Sequence, residues 1–460
     1  MTEPAAAPFA RRDVARRAAV TALLVVACWA LQRVPAPFLA PDAAWRPEPS
    51  LLPAPLVSVL HVGLWPVVLA FAIVELVALV VPRLRARRHG SAADRAALTR
   101  AAWFVAIALA AYEALRTVEE LAQVGTSEGI PVLSSERLAP VVLALTLVAG
   151  TALLSAVALA IGRHGLGNGF AVVLGADLVA QLLGVLQEVP ALARDAGVLV
   201  PLLLEVAALA VALRLMRGGP GEPGGAVRVP VPTCGLVPWL AAQWVMQSPP
   251  RLGRSFLSQE TWDSVSAFLD AHRNTGEVAV SVALAIVLAR LFSARSRVAA
   301  SWSAAGLGAA AAPDAAAASA RAHRASIALV AFGAALPFAA AAFRNQWPWV
   351  LGVFGPVMAG ATVMDLAAEA RARRRLGPLV PAFALHRVYA VEPALAALAQ
   401  AGIPAAARAR YFRALFHAFA PFAPVELLVP APRAQEAAAI CARIARPELA
   451  APAAAEVTLP

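Results

Sequence analysis

The sequence predicts an all-α polytopic membrane protein with ten transmembrane helices in two pseudo-symmetric inverted five-helix halves, followed by a small α+β cytoplasmic domain. Of its 460 residues, 60% are hydrophobic and 15% are charged, and the mean hydropathy is +0.70. This composition excludes an ordinary soluble domain. Gly63-Leu64-Trp65-Pro66 and Gly235-Leu236-Val237-Pro238 open two apolar segments in different halves of the chain. Matching Gly/Pro interruptions are typical of inverted-repeat membrane proteins, in which the transported species passes between the halves.

Ten apolar segments have roughly the 20-residue length that a bilayer core requires. They lie at 17–34, 56–81, 101–121, 138–162, 168–188, 197–216, 232–248, 277–294, 325–343 and 347–366. Arginines before a short apolar run could also mark the first segment as a secretory signal. The nine segments that follow favour a retained first helix.

The charge distribution predicts the orientation. All 39 basic residues are arginine, and dense groups occur at 11–17, 83–88 and 371–375. These segments are on the same side if the N-terminus is cytoplasmic, which satisfies the positive-inside rule and places both termini in the cytoplasm. Topology therefore explains the net charge of +11 without nucleic-acid binding. The predicted location is the bacterial inner membrane.

The predicted organisation has five parts. They are a cytoplasmic N-terminus (1–16), the first half with span six (17–216), the rest of the second half with a basic exit (217–380), the α+β domain (385–446) and a disordered tail (447–460).

Three connecting segments lack a regular pattern. The proline-rich segment 35–55 is predicted to be external and irregular. On the inner side, 217–231 is a short Gly/Pro-rich loop, and the alanine-rich stretch 295–324 is the longest loop, with little for a defined fold.

The C-terminal domain is predicted from short strand and helix patterns that alternate along the sequence. Strands are expected at 388–390 and 425–429, helices at 392–401 and 433–445, and a turn at Gly402-Ile403-Pro404. This order is similar to that of a small bacterial domain ascribed to signal transduction. The alternative is a tail that packs against the inner membrane face.

Five strings, in family order, resemble the SecY family, the pore subunit of the general protein-translocation channel. Residues 58–66 are similar to the family's "SIFALGIMP", residues 145–152 to "LTLTAGTA" and residues 165–169 to "GIGNG". Residues 234–238 are similar to "AGVIP", and Met364-Asp365 matches "MD". The resemblance covers residues 10–380.

This resemblance implies an hourglass-shaped channel narrowed by a ring of apolar side chains. Carried over by motif position, the ring is Leu64, Val68, Phe170, Leu174, Leu240 and Met358. The two halves would part between spans two and seven, at a lateral gate with Gly63, Pro66, Gly235 and Pro238 at its hinges. An apolar constriction blocks ions by dewetting, as such a channel requires.

Two carboxylates within the spans have two interpretations. Helical spacing puts Glu75 on the face of Leu64 and Val68, and Asp177 on the face of Phe170 and Leu174. If the ring is correct, both would line and hydrate the funnel. The alternative is that each pairs with a neighbouring arginine or polar group for packing. Asp365 is expected to be structural or interfacial.

The chain also departs from the family in three places. The family's plug helix would fall in 35–55, which is too short and too rich in proline. The inner loops used for ribosome or motor docking are shortened at 217–231 and alanine-rich near 308–314. The C-terminal domain is additional. These departures suggest a divergent member of the family with a restricted set of clients.

No catalytic, cofactor or metal site is expected. Cys28, Cys234 and Cys441 lack disulfide or zinc spacing. The GxGxG string at 165–169 follows no strand, so it is interpreted as a turn between two spans and not as a phosphate loop. The histidines are isolated, and no general acid or base constellation accompanies the carboxylates.

The leading functional hypothesis is therefore a non-enzymatic, SecY-like protein-conducting channel subunit. Its partners would be translocating polypeptides, the lipid bilayer and SecE-like or SecG-like small subunits, with a motor ATPase or ribosome left open. One alternative is a degenerate paralogue that anchors a cytoplasmic sensing domain. Another is an inverted-repeat secondary transporter, which the apolar lumen disfavours.

Overall fold

The fold was obtained as a computed structural model. It describes residues 6–40, 57–89, 92–128, 132–134, 136–179, 206–207, 209–217, 231, 233–235, 237–238, 242, 258–306, 311–343, 354–417 and 423–450. These residues form a mostly helical protein with one small sheet near the C-terminus.

The membrane part is built from helices. They are α1 (Ala6–Leu31), α2 (Trp65–Val80), α3 (Pro82–His89), α4 (Ala92–Glu128), α5 (Ala139–His164), α6 (Gly169–Val179), α7 (Gln259–Phe292), α8 (Arg295–Ala304), α9 (Ala311–Phe343) and α10 (Phe354–Leu376). Residues 209–216 are also helical.

Several of these helices are long and apolar enough to cross a bilayer. Within the described ranges there are four, at Ala10–Leu31, Ala93–Gln123, Ala139–His164 and Val278–Ala304. α2 and α3 together have the length and composition of a fifth span, although their axes are bent by 105° relative to each other. The chain is thus a multi-pass membrane protein. The count of ten stays a prediction, since the spans at 168–188, 197–216 and 232–248 extend outside the described residues.

The second predicted span, 56–81, is helical only from Trp65. Residues 57–64 form turns instead, and Gly63 has a φ of +66°, which ends any helix there. Hydrogen bonds from the amides of Val59, His61 and Gly63 reach the carbonyls of Val34, Ser58 and Leu60. Non-helical backbone is tolerated at membrane depth when protein satisfies it in this way.

The segment after α1 is irregular in its described part, as predicted. The Ala36 amide donates to the Val57 carbonyl, and the Ala40 amide donates to the Val132 carbonyl. Isolated β-bridges join Pro35 to Ser58 and Leu39 to Leu133. Residues 41–56 lie outside the described part of the chain.

The C-terminal domain is a three-stranded antiparallel sheet with helices packed on it. Its strands are β1 (Leu379–Leu385), β2 (Ala406–Arg408) and β3 (Val425–Pro430), in the order β1-β3-β2. Leu385 pairs with Val425, and Arg408 pairs with Glu426. The helices are α11 (Val391–Gln400), α12 (Arg410–Leu415) and α13 (Ala434–Ala450).

Most elements predicted for this domain occur within a few residues of their predicted bounds. The exception is the strand at 388–390, which was wrong: these residues form a 3-10 turn, and the edge strand is β1. β1 contains Pro381, which argues against a central strand but is acceptable at a sheet edge. The register is irregular between Pro381 and Phe383.

The prediction that 295–324 offers little for a defined fold was also wrong. Its described residues form α8 and the first half of α9. Alanine has the highest helix propensity, so an alanine-rich stretch is helical when it can pack. Val298 and Trp302 of α8 are buried in the core of the C-terminal domain, together with Tyr389 and Cys441.

A close approach inside the membrane part gives the first testable prediction. Gly150 on α5 lies against the Val59 carbonyl, so a Cβ at this position would overlap the Val59 backbone. We expect Gly150→Ala to lower the free energy of unfolding by about 1–3 kcal/mol, the usual cost of overpacking. Thermal unfolding of the detergent-purified protein measures the loss. Gly162→Ala is the matched control, because Gly162 lies on the same helix and a Cβ there would meet nothing closer than the Gly169 amide nitrogen at 3.9 Å.

Candidate functional site

The structure brings five of the six predicted ring residues to one apolar cluster. Leu64, Val68 and Phe170 are buried members of this cluster, and Leu174 and Met358 pack against it with partly buried side chains. These residues come from α2, α6 and α10. The sixth, Leu240, lies outside the described residues.

The helices that supply the cluster are connected directly. The Thr362 hydroxyl on α10 lies 3.2 Å from the Ala171 carbonyl on α6 and donates to it. Phe71 on α2 meets Trp103 on α4 edge to face, with ring centroids 5.7 Å apart. The described residues of the predicted ring therefore lie in an apolar cluster between packed helices.

The glycines of the two predicted hinge strings have nearly the same backbone φ. Gly63 has a φ of +66° and Gly235 a φ of +67°, both in the left-handed region that favours glycine. Pro66 lies in the first turn of α2, where its missing amide costs no helical hydrogen bond. Pro238 is buried and helical. The surroundings of the glycines differ, because Gly63 is open whereas Gly235 contacts the backbone of Leu415.

Glu75 lies in a buried cluster of arginines. Its side chain is 2% exposed and accepts a hydrogen bond from Arg88 of α3. Arg387 of the C-terminal domain is 3.5 Å away. Buried Arg413 also interacts electrostatically with Glu75. This arrangement is the arginine pairing that the alternative interpretation describes.

Asp177 is in a different environment. Its side chain is exposed and accepts a hydrogen bond from the Gln32 amide at 3.1 Å, which links α6 to α1. The two predicted funnel charges thus differ in environment, since Glu75 is buried among cations and Asp177 is exposed.

A second ionic cluster, at the end of α10, was not anticipated from the sequence. The Glu369 carboxylate is fully buried and accepts hydrogen bonds from Arg373 at 2.8 Å, from Arg408 at 2.7 and 2.9 Å, and from the Gly167 amide at 2.9 Å. Arg408 also donates to Glu426 at 2.8 Å and to the Gly162 carbonyl at 3.2 Å. The cluster joins α10, the turn between α5 and α6, and strand β2.

Electrostatics keeps Glu369 ionised. Burial by itself raises the pKa of this carboxyl, but the hydrogen bonds and charges of Arg408 and Arg373 outweigh burial and lower the pKa below its ordinary value. The spacing of Glu369 and Arg373 is the helical i,i+4 pair that could have been recognised in the sequence. Arg408 carries no such signal, because its partner is far away in the chain.

Asp365, expected to be structural, fastens the C-terminal domain to α10. Its two carboxylate oxygens accept hydrogen bonds from the Tyr411 amide at 3.0 Å and the Phe412 amide at 2.9 Å. These amides lie in the first turn of the short helix α12, where backbone donors have no partner within the helix. The carboxylate of Asp365, distant in sequence, accepts their hydrogen bonds in place of a local N-cap side chain. Within the described ranges, no three His, Cys, Asp or Glu side chains are arranged to hold a metal ion.

Residues 58–217 match the family model of SecY, which confirms the predicted resemblance for about a third of the chain. No curated protein matches the chain significantly.

Three solved structures match this chain at low sequence identity. Two have 13% identity and a TM-score of 0.49. One is a SecY protein whose plug domain is described as stabilising the closed state of the translocation channel, and the other is a protein-conducting channel. The third is Sec61 in the canine ribosome–channel complex from the endoplasmic reticulum, with 12% identity and a TM-score of 0.46. Each match covers 78% of this chain and 92–93% of the other.

Proposed function

We propose that this chain, whose residues 58–217 match the SecY family, is a protein-conducting channel subunit. It moves unfolded polypeptides across the bacterial inner membrane or releases them laterally into it, and performs no enzymatic chemistry. The observation that carries the proposal is the apolar cluster built by Leu64, Val68 and Phe170, at the positions where the family motifs predict the ring. The ten spans form two inverted halves with both termini in the cytoplasm.

The physical properties of the cluster suit this role. Apolar side chains packed without water resist the passage of ions, because a narrow apolar pore dewets. An extended polypeptide can part such side chains, since no strong directional bond holds them together. Met358 suits this movement well, because its unbranched side chain adapts to irregular neighbours.

The similar backbone conformation of the two hinge glycines supports a separation of the two halves at the lateral gate. Gly63 and Gly235 share nearly the same positive φ at the start of corresponding segments, as an inverted repeat predicts. Lateral release would use these two hinges. Translocating polypeptides and the bilayer are the primary partners, with SecE-like and SecG-like small subunits around the helices and either a ribosome or a motor ATPase as the source of work.

Site-specific photo-crosslinking tests the proposal. A photoreactive amino acid replaces Val68, which is 5% exposed, in cells that carry a stalled secretory or membrane-protein chain. We expect adducts to the stalled chain, because position 68 would contact every polypeptide in the path. Val77 is the matched control: it is the same residue type on the same helix, but is 44% exposed on another face.

The outcomes separate the functional classes. Adducts at position 68 in large excess over position 77 support a protein-conducting path. If the inserted and folded protein gives no adducts at either position with any client, the proposal is wrong, and the anchored-sensor alternative replaces it.

A further inference from the structure

The segment 408–417 of the C-terminal domain, here called the sealing segment, is buried among the membrane helices. Phe412, Leu415 and Phe416 are at most 4% exposed. They belong to the same apolar cluster as the predicted ring residues Leu64 and Val68. A surface helix of a small domain normally keeps one polar face in water, whereas four of the six residues of α12 are buried and the other two are partly buried.

The sealing segment contacts the first half of the membrane part. Arg408 donates to the Gly162 carbonyl at the end of α5 at 3.2 Å. Arg413 is 1% exposed and interacts electrostatically with Glu75 on α2. Arg387, also in the C-terminal domain, lies 3.5 Å from the same carboxylate.

The segment also contacts the second half. The Leu415 carbonyl lies against Gly235, so close that no side chain would fit at that glycine. The His417 ring stacks on Phe292 at the end of α7, with centroids 5.2 Å apart and planes 14° apart. Asp365 of α10 caps the first amides of α12.

In the predicted topology, these contacts all lie on the same side of the membrane. Gly162, Gly235, Phe292 and Asp365 are at span ends that face the cytoplasm if the N-terminus is inside. The sealing segment therefore bridges helices of both halves beneath the constriction. A polypeptide that approaches the ring from the cytoplasm would meet this segment first.

We propose that the C-terminal domain is the cytoplasmic seal of the path, and that the sealing segment must withdraw before a client can enter. The inference rests on the proposed function, because it takes the apolar ring as the path. Withdrawal breaks the contacts of Asp365 and Arg408 and exposes Phe412, Leu415 and Phe416 to water. The seal is thus held by several hydrogen bonds and one apolar patch, all of which form or separate together.

The first test releases the seal and measures leakage. Leu415→Glu places a charge where the sealing segment is packed, and a buried unpaired charge is strongly disfavoured. Because Leu415 packs in the same cluster as Leu64 and Val68, its withdrawal also loosens the packing of the ring. We therefore expect proteoliposomes with this variant to lose a small trapped dye about tenfold faster than those with the wild-type protein, equivalent to ~1.4 kcal/mol in the opening equilibrium. Ala439→Glu on the exposed face of α13 is the control and should leak at the original rate.

Labelling shows whether the segment has withdrawn. The three buried native cysteines are first replaced by alanine, and Phe416→Cys is then introduced. The new thiol should react with a membrane-impermeant maleimide in the Leu415→Glu variant and should resist it in the otherwise wild-type protein. If position 416 becomes reactive while leakage stays at the original rate, the sealing role is wrong.

A second test locks the seal and does not depend on the folding of Leu415→Glu. The Phe292→Cys and His417→Cys substitutions provide two thiols that are joined by a short cleavable bismaleimide, and client adducts are measured with the photo-crosslinker at position 68. We expect the lock to abolish the adducts and cleavage of the linker to restore them. Adducts that persist in the locked protein overturn the seal and leave the proposed function intact. Dye leakage from Leu415→Glu without client adducts in any form supports the seal and overturns the protein-conducting function.

Discussion

Replacing Glu369 by alanine is expected to lower the free energy of unfolding by about 3–5 kcal/mol, the usual cost of removing one partner from a buried ion pair. The substitution leaves the guanidinium groups of Arg373 and Arg408, both at most 8% exposed, without their shared carboxylate. It also removes the acceptor of the Gly167 amide. Unfolding of the detergent-purified protein by heat or denaturant measures the difference.

Glu426→Ala is the matched control for this experiment. Glu426 also pairs with Arg408, at 2.8 Å, but its side chain is 34% exposed. Water replaces much of such an interaction, so its loss should cost no more than about 1 kcal/mol. Equal effects of the two substitutions would contradict the assignment of Glu369 as the centre of the cluster.

The pH dependence gives an independent check on Glu369. Its folded pKa is lowered, so its stabilising contribution is complete above the unfolded pKa and is lost as pH falls through the folded pKa. The stability difference between the original protein and Glu369→Gln should therefore be constant near neutrality. It should narrow below about pH 4.3, where the unfolded carboxyl begins to protonate. A difference that is the same at neutral and strongly acidic pH would contradict this explanation.

Glu75→Gln is expected to loosen the docking of the C-terminal domain. The change leaves Arg88, Arg387 and Arg413, each at most 5% exposed, close together without the carboxylate that they face. Removing one charge from such a cluster costs about 3–5 kcal/mol. Because two of these arginines belong to the C-terminal domain, we expect faster hydrogen exchange over 379–450 and faster tryptic cleavage after the exposed Arg374 and Arg375.

Two further variants, a control and a partial rescue, test the explanation for Glu75→Gln. Glu120→Gln breaks a 2.7 Å pair with Arg116 on α4 in which the glutamate side chain is 57% exposed, and should change neither readout. Arg88→Gln added to Glu75→Gln removes one of the excess cations and should restore part of the protection. Unchanged exchange in Glu75→Gln would mean that the apolar contacts alone hold the domain in place.

The parts of the fold that were predictable depend on local sequence. The fourth span was expected at 138–162 and α5 occupies Ala139–His164, because an apolar run of that length specifies a spanning helix directly. The turn at 165–169 was also expected, and Gly167 has a φ of +75°. In contrast, β2 consists of Ala406-Ala407-Arg408, which has no strand propensity and is extended only because it pairs with β3.

The candidate site also contains features that local sequence predicted and features that it did not. Motif position identified Leu64, Val68 and Phe170, which the structure gathers in one cluster, because apolar residues at helical spacing share a face. The partners of Glu75 could not be inferred, since Arg387 approaches from a domain hundreds of residues later. For Glu369, the local partner Arg373 was accessible to sequence reasoning and the distant partner Arg408 was not.

The amino-acid sequence by itself determined the membrane class, most described helices and the repeated Gly/Pro breaks, because hydrophobic length and backbone preference act over a few neighbouring residues. Only the tertiary structure decided that α8 joins the C-terminal core and that the sealing segment packs into the apolar cluster that contains Leu64 and Val68. It also decided that Glu75 and Glu369 each pair with an arginine of that domain in addition to an arginine of the helical part. Such pairings depend on approach through space between distant parts of the chain, and local periodicity carries no record of them.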